Sequence, residues 1–446
     1  MIQIVGGGLA GCEAAWQIAA QGVPVALHEM RPVRGTRVHR TDRLAELVCS
    51  NSFRGAKLEN AVGLLKEEMR RLGSLIMRVA GETSVPAGGA LAVDRDRFAA
   101  GVTGAVEGHP LITVSRREVA HVPAPGAAPV IIATGPLTSD PLSAEIAALV
   151  GQDHLYFYDA ISPVVAADTI DRSKVFRASR WDASAAGDYL NCPLDEHEYG
   201  MLHEALVTAE LADLHDIDRA RFFEGCLPIE VMARRGPDTL RFGPLKPVGL
   251  TDPATGRRPH AVVQLRQDNL AADHYSLVGF QTQLKWGEQR RVLRLIPGLE
   301  QGEFIRYGMI HRNTYINAPS VLLDTWQTRA RPDLFFAGQI SGVEGYVESA
   351  ASGLMAGLNA AALTQGRPLV PPPRTTAMGA LAYYVSHANA ADYQPTNIAF
   401  GLIPSAERAP RNRRARRQAL AERALNDLAA WAAAAAAPAA VEAQPS

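Results

Sequence analysis

The chain has 446 residues, more than one core of usual size holds, so two or three domains are the expectation. With 47% hydrophobic and 20% charged residues it has the balance of a globular protein, and a net charge of −1 announces no polyanionic partner. No run of about eighteen apolar residues and no basic leader with a cleavage site is visible, so no membrane span is expected and the cytoplasm is the expected location.

Lysine is scarce, with five at positions 57, 66, 174, 246 and 285 among 45 basic residues, so contact with nucleic acid would rest on local arginine patches. The cysteines at 12, 49, 192 and 226 include no C-x-x-C and no close pair. That spacing speaks against a zinc ribbon and against a local redox dithiol, and no metal is expected.

Ile2 to Val5 is an apolar run that reads as a buried parallel strand. Gly6, Gly8 and Gly11 then fill a G-x-G-x-x-G, with Gly7, Leu9 and Ala10 in the same turn, and Cys12 to Ala20 favours helix. In that pattern the first glycine turns the chain, the second admits a pyrophosphate, and the third lets the helix pack on the strand. The helix amides face the phosphates. A second apolar run, Val23 to Leu27, ends in Glu29, placed to accept a ribose hydroxyl. Strand, turn, helix and acid together point to dinucleotide binding.

A basic loop follows, with Arg31, Arg34, Arg37, Arg40 and Arg43 recurring every three residues; phosphate contact, cofactor contact and plain solvation all fit it. Ala61 to Leu72 has helical periodicity, Val93 to Phe98 opens another helix, and Leu111 to Val114 and Arg117 to Val122 read as strands. Val130 to Thr138 is a buried strand running into Ala133, Thr134 and Gly135, a second turn toward the cofactor. From about Tyr156 to about Leu323, short strands and loops rich in aromatics, Pro and Gly read as an insertion. Pro332 to Gln339 repeats the strand-then-glycine pattern through Gly338 and Gln339. Gly345 to Gly357 is a small-residue helix whose start, with Tyr346, Glu348 and Ser349, is expected near a flavin.

The expected fold class is α/β: a Rossmann-like FAD-binding domain interrupted by an inserted α+β domain, with a small C-terminal helical element. Residues 1–155 and 324–370 make the two parts of the FAD-binding domain, and 156–323 the inserted substrate domain. Residues 371–430 form the C-terminal element, including the basic run Arg408 to Arg417, and 431–446 a disordered tail.

Six strings carry a family resemblance: Gly6 to Ala15, Leu47 to Ser52, Tyr189 to Pro193, Phe223 to Met232, Leu240 to Gly249 and His311 to Asn317. From residue 1 to about residue 403 the chain resembles the folate- and FAD-dependent tRNA uracil-5 methyltransferases, the TrmFO family, related to the MnmG/GidA flavoproteins. The resemblance implies methylation of the T-loop uridine at tRNA position 54 to ribothymidine. It implies methylenetetrahydrofolate as carbon donor, reduced FAD as hydride donor, and NAD(P)H as a further co-substrate.

Such chemistry needs thiols. C5 of uracil is a poor nucleophile, so a thiolate first adds to C6 and pushes electron density onto C5, which attacks the one-carbon unit. A base then removes the C5 proton, the thiol leaves, and hydride turns the exocyclic methylene into methyl. The resemblance makes Cys226, in Glu224-Gly-Cys-Leu-Pro228, the expected nucleophile and Cys49 the second catalytic thiol, two roles that can be exchanged. Arg43, Arg54, Arg234 and Arg235 are candidates for lowering a thiol pKa. Cys12 is expected to be a small buried apolar residue, and Cys192 a structural one, with a pocket-lining role for it also open. His311 is expected to stack on the pterin, with Asn313 and Tyr315 nearby, and Val119 is counted with the cofactor contacts. Lys285 and Trp286 fit folate contact, RNA contact or an amphipathic core edge. Two further readings are a wobble-uridine-modifying flavoprotein, similar to a longer chain, and a non-catalytic tRNA-binding flavoprotein.

Overall fold

The structure, a computed structural model, describes residues 1–36, 38–126, 128–151, 155–180, 187–212, 227–405 and 410–436. Its organising element is a five-stranded parallel sheet in the spatial order Leu334–Phe336, Val130–Ile132, Ile2–Val5, Val25–Glu29, Ile112–Arg116. The first strand of the chain is thus the middle of the sheet, with Val5 opposite both His28 and Ile132. Buried on both faces, these strands are near-continuous apolar runs, as parallel strands are.

Helix Leu9–Ala20 lies against helix Tyr346–Thr364 at backbone distance, because a Cβ on Gly353 or Gly357 would run into the carbonyls of Ala10 or Ala14. The two glycine-led helices therefore pack as a pair, and their starts lie at the same edge of the sheet.

A second core is built on a six-stranded antiparallel sheet in the order Phe176–Ala178, Tyr189–Leu194, Ala261–Gln267, His274–Leu277, Val164–Ala166, Phe304–Arg306. Helices Glu196–Thr208 and Trp286–Leu293 contribute Leu202, Leu206, Val292 and Leu293 to it. The chain leaves the first core through strand Leu155–Ala160 and returns through strand Ile310–Tyr315, and these two crossings pair antiparallel with each other. Tyr315, Ile316, Ala318, Val321 and Leu322 already pack in the first core, so the chain is back in it before the boundary expected at 323.

Two other expectations change. Residues 117–122 form no strand: the ladder ends where Glu29 faces Arg116, because the neighbouring chain turns away after Glu29, so 117–122 crosses the sheet edge as irregular backbone. At the other end, helix Arg413–Ala436 runs past residue 431, where a tail was expected, and packs Leu420, Ala421, Ala424 and Leu425 on the first core. Among the described residues no helix is long and apolar enough to cross a membrane.

Candidate functional site

The carboxyl ends of the parallel strands open onto a cleft, the place where open α/β sheets bind their ligands. Gly6, Gly7, Gly8, Leu9 and Ala10 line it from the first turn, Glu29 from the second strand, and Ala133, Thr134 and Gly135 from the fourth. Val119 lines it from the irregular crossing, and Gly338, Gln339, Tyr346 and Ser349 from the second glycine element. Fourteen residues chosen from the sequence thus meet in one cavity.

The first turn fits a dinucleotide. Gly6 has φ +109°, a conformation that favours glycine, and a Cβ there would collide with the Ala133 backbone. Space above Gly8 is open, with nothing within 4 Å of where its Cβ would stand. Gly8 caps the following helix without any side-chain hydrogen bond, and no acidic residue lies in the first turn, so the helix-start amides remain available to an anion.

Glu29 is already engaged. Its Oε2 accepts from the Gly7 N–H at 2.9 Å, and its Oε1 accepts from the Arg31 N–H at 3.0 Å and from Arg31 Nε at 2.8 Å. Burial works against its charge, but the Arg31 guanidinium outweighs it and holds the carboxyl below its ordinary value. A carboxylate has about four lone-pair positions, so one remains on Oε2 for a ribose hydroxyl. Arg31 itself is buried and also pairs with Glu46 at 3.1 Å, so its charge is spent inside the protein. Arg34 and Arg43 pair with Glu118 and Asp96, and Arg37 lies outside the described residues.

Three of the cofactor residues read from the sequence stand off the cleft. A Cβ on Gly11 would overlap the Gly6 carbonyl, which makes Gly11 a packing residue. Glu348 is fully buried, joined to Arg54 and accepting from the Ile398 N–H at 2.9 Å. Gly345, at φ +107°, turns the chain into that helix directly beside the Glu348 carboxylate. Conversely, His28 and His39 line the cleft and went unmarked in the sequence. His28 Nδ1 accepts from Arg117 Nε at 3.3 Å while its Nε2 is buried without a partner, and burial, then Arg117, lowers its pKa. The only sequence signal for it was its place next to Glu29 at the strand end.

Tyr346 links the cleft to Cys49. Its hydroxyl accepts from the Cys49 N–H at 2.9 Å and the Ser50 N–H at 3.1 Å, and burial raises the phenol well above its ordinary value, so it stays protonated. Below the Cys49 loop three arginines converge from three distant parts of the chain. Arg95 Nη1 donates to the Leu47 carbonyl at 3.0 Å. Arg266 donates to Ser50 Oγ and Asn51 Oδ1, both at 2.8 Å. Arg306 donates to the Val48 carbonyl at 3.1 Å and the Cys49 carbonyl at 3.4 Å. One carboxylate, Asp268, faces all three, and the charges of all three act on the Cys49 thiol. The seat is therefore cationic, enough so that burial, reinforced by Arg95, pushes Arg306 down to about 10. None of these arginines was among the candidates chosen from the sequence. Arg54 goes to Glu348 and Arg234 to the Val207 carbonyl.

Cys49 Sγ lies 3.9 Å from the Ala160 carbonyl, at the end of the outgoing crossing strand. On the returning strand, Asn313 is fully buried with both amide atoms unpartnered, while Tyr315 is turned into the core with its hydroxyl donating to the Tyr393 carbonyl at 3.3 Å. The backbone of His311 stands in that strand opposite Asp159; its side chain, like the whole of Cys226, lies outside the described residues. Cys12 and Cys192 are fully buried, and burial pushes both thiols far up.

A parallel sheet with a glycine turn, an acid at the second strand end and a second glycine-led helix closing the same cleft defines the class of FAD-binding flavoproteins. The fold agrees with that class: Aquifex aeolicus GidA in its form II crystal matches 96% of this chain and 73% of its own at a TM-score of 0.71, with 18% identity. The family described as glucose inhibited division protein A matches residues 1–368. Proteins named methylenetetrahydrofolate--tRNA-(uracil-5-)-methyltransferase TrmFO are far more similar. The one from Heliobacterium modesticaldum is 60% identical over 427 residues, covering 96% of this chain and 97% of its own. That of Geobacter sulfurreducens is 58% identical over 431 residues, covering 96% and 98%. The chain belongs to the TrmFO family, within the wider GidA group.

Proposed function

We propose that the protein methylates C5 of a uridine in tRNA, with methylenetetrahydrofolate as carbon donor, and that the target is the T-loop uridine at position 54. The observation that carries the reading is identity of 56–60% along almost the whole chain to relatives of that name. It is supported by the geometry that hangs a cysteine loop from the tyrosine of the cofactor cleft. The wobble-uridine and non-catalytic readings have no comparable support.

The residues would divide the work as follows. The turn Gly6–Ala10 and the helix start at Tyr346 hold FAD, with Glu29 on the ribose. When bound and reduced by NAD(P)H, FAD supplies the hydride that completes the methyl group. Cys226 adds to C6 of the uracil as thiolate and leaves again after C5 has bonded to the one-carbon unit. Cys49 accepts the C5 proton, and the field of Arg95, Arg266 and Arg306 favours its thiolate form. Asn313, buried with an unpartnered amide and carbonyl, offers the donor–acceptor pair that a pterin edge requires, with His311 beside it on the strand.

The test is a mass assay on an unmodified tRNA transcript with FAD-loaded protein, methylenetetrahydrofolate and NAD(P)H, and a transcript lacking the T-loop uridine as control. Ribothymidine is expected only with folate and only in the intact transcript. A transcript that is bound but never methylated would overturn the reading.

A further inference from the structure

Among the described residues the only largely exposed phenylalanine and tryptophan are Phe242, 80% exposed, and Trp286, 64% exposed. Each is joined by a few residues of chain to the stretch that roots the segment carrying Cys226. The Ala212 N–H donates to the Gln283 carbonyl and the Ile229 N–H to the Gln281 carbonyl, each at 2.8 Å, so the chain enters and leaves residues 213–226 beside Gln281–Gln283. Trp286 lies just beyond Gln283. At the other end Pro244, just past Phe242, packs on Gly279, where a Cβ would stand 2.6 Å from the proline Cβ.

Trp286 is held in a ladder of rings. It stacks on Tyr307, centroids 6.5 Å apart at 26°, and Tyr307 meets Phe304 at 5.8 Å. Arg290 Nε lies 3.4 Å from the Tyr307 hydroxyl; Arg291, exposed on the same helix, pairs with Glu288 at 2.6 Å, and Arg294 is exposed at the helix's C-cap. Tyr307 directly follows Arg306, which grips the Cys49 loop. The ladder is thus joined through the chain to the residue that holds the Cys49 loop. Next to Phe242 in the chain, Arg241 pairs with Asp238 at 2.7 Å.

Aromatic faces left in water forgo the burial that drives folding. With guanidiniums beside them they suit one ligand class, unstacked nucleobases on a phosphate backbone, since every base has a face to stack and every linkage a charge. A uridine swung out of its loop for reaction leaves its neighbours unstacked. We infer that Phe242 and Trp286 form a stacking platform for the unpaired bases flanking the target uridine, each ring joined by a short stretch of chain to the root of the Cys226 segment. The inference rests on the tRNA reading above and adds to it how the loop is held open.

The full-length, FAD-loaded protein and its Trp286→Ala, Trp286→Phe, Phe242→Ala and Phe242→Tyr variants are compared by filter binding to unmodified transcript and by methylation kinetics, with flavin absorbance reporting that each is folded. Each alanine variant is expected to weaken tRNA binding about 5- to 100-fold and to raise KM for tRNA alike, while kcat and KM for methylenetetrahydrofolate stay near wild type. The aromatic replacements restore most of the affinity. Transcripts with single abasic nucleotides identify the stacked base: its removal weakens wild-type binding but weakens Trp286→Ala no further. Affinity within twofold of wild type in either alanine variant, failure of the aromatic replacements to restore it, or a loss falling on folate instead overturns the platform. Wild-type protein that neither binds nor methylates the transcript overturns the tRNA reading with it; wild-type protein that methylates while the variants match it overturns the platform alone.

Discussion

The cofactor cleft is framed by backbone turns, Gly6–Ala10 and Ala133–Gly135, and by two helix starts at the ends of paired strands. At the Cys49 loop, which shares Tyr346 with the cleft, the groups are side chains: Arg95 from the first core, Arg266 and Arg306 from the second sheet. The first region is fixed by chain geometry and by what glycine permits. The second exists only once two cores have met. A change in the cleft should therefore act on folding and flavin content together, whereas a change at the junction should act on chemistry with flavin retained.

The largest effect is expected from Gly11→Val, whose side chain would overlap the Gly6 carbonyl. Overpacking costs about 1–3 kcal/mol, more where backbone cannot yield, so Tm falls and the purified protein loses its flavin absorbance; flavin retained at an unchanged Tm would remove the geometric account of the cleft. Next comes Cys49→Ala. Removing a positioned proton acceptor lowers kcat about 10²- to 10⁴-fold, with flavin content unchanged, and activity near wild type would take Cys49 out of the chemistry. Arg306→Met removes one of three cations from the seat and the hydrogen bonds to Val48 and Cys49. Alkylation of Cys49 by iodoacetamide at neutral pH should slow roughly tenfold and its pH profile should move to higher pH; an unmoved profile would reduce Arg306 to a structural tie.

Asn313→Ala separates ligand contact from packing. Deleting an unpartnered buried amide removes a desolvation penalty, so Tm holds or rises. If Asn313 holds the pterin, KM for methylenetetrahydrofolate rises about tenfold, the cost of one lost hydrogen bond. An unchanged KM would leave Asn313 with no role in binding.

The smallest effect is a pH dependence within the cleft. Burial, reinforced by Arg31, pushes His39 down to about 4. Between the ordinary value near 6.5 and about 4 the unfolded chain holds the proton and the folded chain does not, so stability present at neutral pH is lost as pH falls through that window. Thermal scans at pH 7 and pH 5 should show a Tm drop that shrinks in His39→Gln, where a fixed neutral side chain stands in; equal drops would acquit His39.

Gly6, Gly8, Gly11 and Glu29 were legible because one strand, one turn and one helix fix their spacing, and that same local grammar marked Gly338 and Tyr346 in the second half. The glycine pattern did not separate Gly11, which serves packing, from Gly8, which leaves room above the turn. The arginine seat was illegible. Arg95, Arg266 and Arg306 sit in no motif and converge only through the pairing of two sheets, while Arg43 and Arg54, chosen for nearness in sequence to Cys49, are claimed by Asp96 and Glu348. Tyr315 shows the converse: the string around it marks the right strand, and the two-residue period sets Tyr315 on the same face as Asn313, but at the strand's end that face has already reached the first core, where Tyr315 is buried and donates to the Tyr393 carbonyl.

The paired crossing strands have a consequence for synthesis. Val130–Ile132 is flanked in the finished sheet by Leu334–Phe336, which the ribosome makes only after the whole second core has emerged. At typical elongation rates of about 5–20 residues per second, that strand waits with an open edge for roughly 10–40 s. The second core, both of whose ends lie at one paired ribbon, is free to fold during that interval and on doing so brings residues 310–315 back beside 155–160. The nascent chain is thereby handed its last sheet strand by the completion of its insertion, and the period of greatest exposure to aggregation ends with that event.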